Sequence, residues 1–431
     1  MSLHNPHTVR HRPDVGAADY LVALYLLLVA ALEPTLWWTI PNYVFGAALV
    51  VLALRVAQTG LISEAVLRDP VVWMAAALVA WLYTCAFMSP HPTQARIATE
   101  YQAKVLLIGV VVLAGVSRVP RLKLWLAAFV LGAAGLAWGT VATTFEAGLL
   151  EGIRSTGLAR QENALGQAMV SGLAAAVLLM PLVRRPARRL VVLQIAALLL
   201  TLLISGSRGA AISAITMLLT YVVLEQLPRL RRYSLRLAIA AMVGFVLLGI
   251  AGSILSNAPV VARLQAMLDS GLSSITGDAR WEIYTHSWGL FLQNMTFGVG
   301  LGNYQFYNPA YVYTHTTFLE LLVGGGIIAA FLYYLIVAVA FVRCCRAARR
   351  HKANVPYRVF FHAAAAVVVG IAVQGAFSLA FQSKHFTILL FLVAGAARAS
   401  RSWGDMIPAE GSNHWHVTSA SVEERIEPLS V

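Results

Sequence analysis

The chain has 431 residues, 59% of them hydrophobic and only 12% charged, with a mean hydropathy of +0.72. A soluble domain carries roughly 25% charged residues, so this composition excludes a disordered chain, a soluble globular enzyme and a disulfide-rich secreted domain. A polytopic membrane protein remains, and in such a chain a net charge of +13 points first to cytoplasmic loops that set orientation rather than to nucleic acid.

In chain order, 1–16 is polar and reads as a cytoplasmic N-terminal segment with no cleavable leader. Apolar runs approaching the roughly 20 residues that a span needs follow at 17–35, 37–55, 70–88, 101–117, 124–145, 164–183, 190–204, 209–228 and 236–257. Three more follow at 316–342, 359–380 and 385–400. The expected fold is therefore an all-α polytopic membrane protein of about twelve transmembrane helices. Helices 1–9 lie in 17–257 and helices 10–12 in 316–402, with a cytoplasmic tail at 403–431. The segment 258–315 is expected to be a large periplasmic loop containing short interfacial helices.

The loop charges test this topology. With the N-terminus inside, only Arg96, Lys104, Arg154, Arg160, Arg208, Arg263, Arg280 and Lys384 fall outside, and the other 24 of the 32 Lys and Arg fall inside. That asymmetry places both termini in the cytoplasm and requires an even number of spans. The basic stretches at 184–189 and 343–358 are expected to be cytoplasmic loops. Cys85, Cys344 and Cys345 give neither a disulfide framework nor a CxxC metal spacing.

The outer cations carry the functional signal, because topology works against them and a charge at a membrane boundary is costly. Arg208 lies in SGSRGAA, a Ser/Gly turn that also opens the next helix. Free N–H groups and a guanidinium aimed at one spot make an anion site; the alternative is an arginine reaching to lipid headgroups. Arg154 and Arg160 lie in EGIRSTGLARQENALGQ, where Gln161 and Glu162 add polar groups and Asn163 is placed to cap the next helix. Arg280 opens RWEIYTHSWGLFLQ, in which Trp281, Tyr284, Trp288 and Phe291 share one helical face suited to the membrane interface or to a small core. Asp278 is near enough to pair with Arg280. His315 stands where the long loop enters a span, with Glu320 five residues on, and histidine exchanges protons near neutrality.

No GxxxxGK[ST], GxGxxG or HExxH occurs, and no outer DxD or DxE stands ready for Mg²⁺. No chain of acidic residues runs through the spans, as proton-coupled transport usually needs. Arginines and one histidine without a metal site suit a substrate that brings its own leaving group, such as a lipid-linked diphosphate.

At these residues the chain resembles the O-antigen ligase family of bacterial inner-membrane glycosyltransferases, part of a ligase/polymerase superfamily. SGSRGA matches the family's Ser-Arg-Gly turn at Arg208, and the Arg-Trp pair at Arg280 matches its large-loop arginine. THTTFLELLVGGG matches its His-x-x-x-Leu-Glu…Gly pattern at His315, with Thr316 where many relatives carry Asn. Arg154 and Arg160 lie where relatives place loop arginines. The resemblance implies transfer of a polysaccharide from undecaprenyl diphosphate to a hydroxyl of lipid A–core. That reaction takes place at the periplasmic face of the inner membrane, without cofactor, metal or nucleic acid. Arg208, Arg280, Arg154 and Arg160 would hold the diphosphate, and His315 would take the proton of the attacking hydroxyl or orient it. One-step attack predicts inversion. The alternatives are an O-antigen polymerase or O-oligosaccharyltransferase using the same donor, and, from another class, a lipid-linked-sugar flippase.

Overall fold

In lipid every backbone amide must find its partner within its own segment, so apolar runs of this length become helices. The computed structural model describes residues 15–37, 39–44, 46–47, 64–146, 158–159, 161–230 and 279–403, and among them no residue is in a strand. The principal helices are α1 (Ala17–Leu32), α2 (Pro70–Met88), α3 (Pro92–Gly115), α4 (Val119–Glu146), α5 (Glu162–Leu179) and α6 (Arg185–Ser205). They continue with α7 (Arg208–Leu230), α8 (Ala279–Gln293), α9 (Thr317–Arg350), α10 (Val355–Gly375) and α11 (Lys384–Ala399). Eight of them, α2 to α7, α9 and α10, are long and apolar enough to cross a membrane, while α1 and α11 have 16 residues each. This is a multi-pass membrane protein. The expected spans at 37–55 and 236–257 fall largely outside the described residues, as do the loop segment 258–278 and most of the tail.

Of the boundaries that differ from the sequence reading, three change where charged or polar residues lie. Helix α3 begins at Pro92 rather than near 101, because a proline in the first turn suits a helix start and the polar turns Thr93–Glu100 remain helical ahead of the apolar run. Helix α6 begins at Arg185, so Arg185, Arg188 and Arg189 belong to a helix and not to a loop. Helix α9 runs to Arg350, and the arginines of its last turn, Arg349 and Arg350, favour the negative end of the helix dipole.

Helix α9 is also broken. Gly326 has φ +68°, a backbone conformation that only glycine adopts at little cost. The break frees backbone groups, and three of them bond to other parts of the chain. Val299 N–H donates to the Val323 carbonyl at 2.7 Å, and Trp81 Nε1 donates to the Gly325 carbonyl at 2.7 Å. Ile327 N–H donates to the Met295 carbonyl at 2.9 Å. The chain leading out of α8 is thereby locked into the break. Asn303 continues the lock, its amide donating to Ser89 Oγ at 2.6 Å and to the His91 and Val299 carbonyls.

The shortest spans are not peripheral. Helix α11 is buried from Lys384 through Ala397 and packs against α3, α9, α10 and α5. Helix α1 lies along α4, and α7 along α10. Because the helices alternate in direction, Glu33, Ser205, Gly375 and the starts of α5, α7, α9 and α11 gather at one end of the bundle. The other end holds three buried carboxylates, each clasped by cations from another helix. Asp19 pairs with Arg121 at 2.6 Å, and Asp69 with Arg343 at 2.9 Å, with Arg398 at 3.9 Å. Glu225 accepts from Arg358 at 3.2 Å and from His362 Nδ1 at 2.7 Å. The cations read as orientation signals therefore also tie α1 to α4, α2 to α9 and α11, and α7 to α10.

Candidate functional site

The end opposite those ion pairs opens into a cavity of about 400 Å³. Arg208, Arg280 and His315, which are far apart in sequence, all line it. Arg154 and Arg160 lie outside the described residues.

Arg208 gets there through its local turn. Helix α6 ends at Ser205, and Gly206 takes the left-handed conformation, φ +62°, that closes a helix and reverses the chain. The Ser207 carbonyl accepts from Ala211 N–H at 3.0 Å, so Arg208 is the first residue of α7. Its N–H and that of Gly209 belong to the first turn, which has no partners within its own helix. Gly209 permits this placement, because a Cβ there would collide with Cβ of Phe377. Likewise a Cβ at Gly166 would meet Ser207 Cβ at 2.6 Å, so α5 passes close beside the turn.

That contact brings in the start of α5. Gln161, Asn163 and Gln167 line the cavity. Asn163 does not cap α5: Gln161 occupies the cap position, with extended backbone and no side-chain cap bond, and Asn163 sits in the first turn. Ser383 and His385 bring the start of α11, Arg280 the start of α8, and His315 the residue before the α9 cap. Five helices thus present their N-terminal ends to one cavity, and their aligned dipoles add positive potential to that of the arginines.

His315 is held in an unusual backbone state. It is the one non-glycine with positive φ, +63°, among the described residues. Such a conformation costs of order 1–3 kcal/mol and persists only where the surroundings enforce it. Here they do. The Glu320 carboxylate, 2% exposed, accepts from both N–H and Oγ of Thr314 at 3.1 Å. Thr316 Oγ accepts from Leu319 N–H at 3.0 Å and caps α9, while Thr317 donates twice to the Ser378 carbonyl. The Tyr313 ring lies 4.4 Å from the imidazole. Asn at 316 would cap equally well, so the Thr316 departure keeps the position's structural task.

The aromatic stripe of α8 divides. Trp281 and Trp288 are half exposed, whereas Phe291 is 4% exposed and packs inward with Ile283, Ser287 and Leu290. Together with exposed Leu292, Met295 and Phe297 the two tryptophans form an apolar outer face of the kind found at a membrane boundary.

Sequence reasoning missed a whole wall of this cavity. Glu33 at the end of α1, Tyr101 in α3, Gln374 in the last turn of α10, Ser378 after it, and Gln382 and His385 around the start of α11 line it as well. Each is an unremarkable polar residue at a helix end or on a helix surface, and only the packing of α1, α3 and α11 reveals it.

Comparison with known proteins followed the same lines. Residues 193–334 match a family model described as "O-Antigen ligase". The matched segment contains Arg208, Arg280 and His315 and excludes Arg154 and Arg160. No curated protein matches the chain.

Proposed function

We propose that this chain, whose residues 193–334 match the O-antigen ligase family model, is the ligase itself. It transfers polysaccharide en bloc from undecaprenyl diphosphate to a sugar hydroxyl of lipid A–core. The observation that carries this reading is the convergence of Arg208, Arg280 and His315 on one cavity at a bundle end.

The chemistry follows from the lining. A diphosphate leaving group gains negative charge as the glycosidic bond breaks. Preorganised guanidiniums and helix N-termini lining the cavity stabilise that charge more than they stabilise the ground state. Arg208 and Arg280 supply planar forks for the phosphate oxygens. Arg154 and Arg160, which precede α5 in the sequence, are the further arginines that this reading assigns to the diphosphate. His315 takes the proton of the attacking hydroxyl as that hydroxyl approaches the anomeric carbon from the face away from the diphosphate, so the product is inverted.

The segment 258–315 is the periplasmic loop in this reading, the cavity opens to the periplasm of the inner membrane, and both termini are cytoplasmic. The exposed tryptophans of α8 anchor that loop at the lipid boundary, beside an opening for the acceptor lipid. Among the described residues Glu33 is the one carboxylate that lines the cavity, and it lies beside Lys384 and His385. A resident Mg²⁺ usually takes one or two carboxylates and several waters. Transfer is therefore expected to proceed in excess EDTA; loss of activity restored by Mg²⁺ would count against a metal-independent reaction.

A deletion strain tests the reading against its rivals. It is expected to accumulate polymerised O-antigen on the carrier lipid while lipid A–core stays uncapped. Core bearing a single repeat unit would instead identify a polymerase, and unaltered capping with donor trapped in the cytoplasmic leaflet would identify a flippase.

A further inference from the structure

The wall built by α1, α3 and α11 has a chemistry unlike that of the arginine wall. Glu33 is the last-turn cap of α1, where the negative end of the helix dipole disfavours a carboxylate. It is held there from α11. Lys384 Nζ stands 3.7 Å from Glu33 Oε1, and His385 Nε2 stands 3.5 Å from Oε2. Both residues belong to the positive first turn of α11, and their side chains are about 5% exposed. Lys384 also donates to Asn42 Oδ1 at 3.2 Å.

His385 is not a base in this arrangement. Its Nε2 lies 2.9 Å from the Val29 carbonyl, which only accepts, so Nε2 carries the proton and donates it there. The ring packs beside Glu33. Among the described residues Glu33 is the carboxylate that this wall contributes to the cavity lining. Around it stand the Tyr101 ring, whose hydroxyl donates to the Gln382 carbonyl at 3.3 Å, the Gln382 side chain and Ser383.

A carboxylate repels a diphosphate, so a cavity that holds both must seat them apart. What a carboxylate, an amide, a hydroxyl and an aromatic face recognise together is a neutral saccharide, whose hydroxyls donate to the acid and whose ring face lies on the aromatic. We propose that Glu33, paired with Lys384 and packed beside the His385 ring, binds a hydroxyl of the acceptor saccharide, and that Tyr101, Gln382 and Ser383 complete this acceptor subsite. The inference rests on the transferase reading above for the identity of that saccharide.

The test is direct binding of delipidated core oligosaccharide to the detergent-solubilised full chain by titration calorimetry, beside a transfer assay with lipid A–core as acceptor. Glu33→Gln keeps the volume and one accepting oxygen but loses the charge, and is expected to weaken saccharide binding about 10-fold. Glu33→Ala is expected to weaken it further, with acceptor KM rising in the same order and donor KM unchanged. Weakening graded in this way, at an unchanged melting temperature, supports the subsite. Equal affinity in wild type and Glu33→Gln, weakening that merely follows a lowered melting temperature in both variants, or a wild type that does not bind the oligosaccharide overturns it. A wild type that binds the oligosaccharide in a Glu33-dependent way yet transfers nothing to lipid A–core supports the subsite and overturns the ligase reading.

Discussion

The two ends of this helical bundle handle charge in opposite ways. At one end Asp19, Asp69 and Glu225 are buried and clasped by arginines from distant helices. At the other, Arg208, Arg280 and His315 face an open cavity into which five helices point their N-termini. Arg208 and Glu225 lie on the same helix, 17 residues apart, which is about 25 Å along an α-helix. The difference shows what each charge is for. A buried pair is costly to break but adds little over apolar packing, so it specifies which helices adjoin. A cation that lines a cavity lies where a molecule entering that cavity would meet it.

Substitutions at the two ends should therefore fail differently. The largest effect is expected from His315→Ala, which should lower turnover by roughly 10²–10⁴ with donor KM nearly unchanged, as for a lost general base. Turnover near wild type in purified enzyme would remove His315 from the chemistry. His315→Gly sharpens the point: it relieves the left-handed backbone, so turnover should fall while the melting temperature holds or rises.

Arg208→Ala should follow, with a loss of about 10²–10³ in kcat/KM, typical of a single missing electrostatic donor. Unlike His315→Ala it should also weaken donor binding, because the guanidinium meets the diphosphate before the bond breaks. Arg208→Lys should recover little, since lysine lacks the planar fork. Full recovery in the lysine variant would reduce Arg208 to a point charge.

Asp69→Ala breaks the comparison from the other end. It leaves the partly buried Arg343 and Arg398 without the buried carboxylate they share and should cost up to about 3 kcal/mol of stability. Thermal melts should shift strongly while the rate per folded molecule stays that of the wild type. A rate loss without a melting shift would mean that the ion-pair end communicates with the cavity.

The smallest effect is expected from Glu320→Gln. Its carboxylate holds Thr314, one residue from His315. Replacing charge-assisted bonds by neutral ones should lower kcat by about 10-fold and leave donor KM alone. A change confined to KM would show that this loop positions the donor instead.

The spans were legible because hydropathy is a local property. Each of the ten expected spans that lie within the described residues contains a helix, and the Arg208 turn was legible for the same reason: Ser-Gly-Ser-Arg-Gly encodes a helix stop, a reversal and a helix start within five residues. Local signals erred where a neighbour decided the outcome. Polar turns such as Thr93–Glu100 gave no apolar run, yet they continue α3. Phe291 shares a helical face with Trp281, yet contacts within the bundle draw it inward.

Composition, the membrane class and the three residues Arg208, Arg280 and His315 were thus determined by the sequence alone, because each is written in a short stretch of chain. That those three meet at one cavity, that Glu320 and Ser378 hold the loop around a strained His315, and that Glu33, Tyr101 and His385 form the facing wall were decided only by tertiary structure. The physical reason is that helix ends tens to hundreds of residues apart become neighbours through side-chain packing along whole helices, such as α1 on α4 and α11 among α3, α9 and α10. No periodicity within a single segment encodes which helix lies beside which.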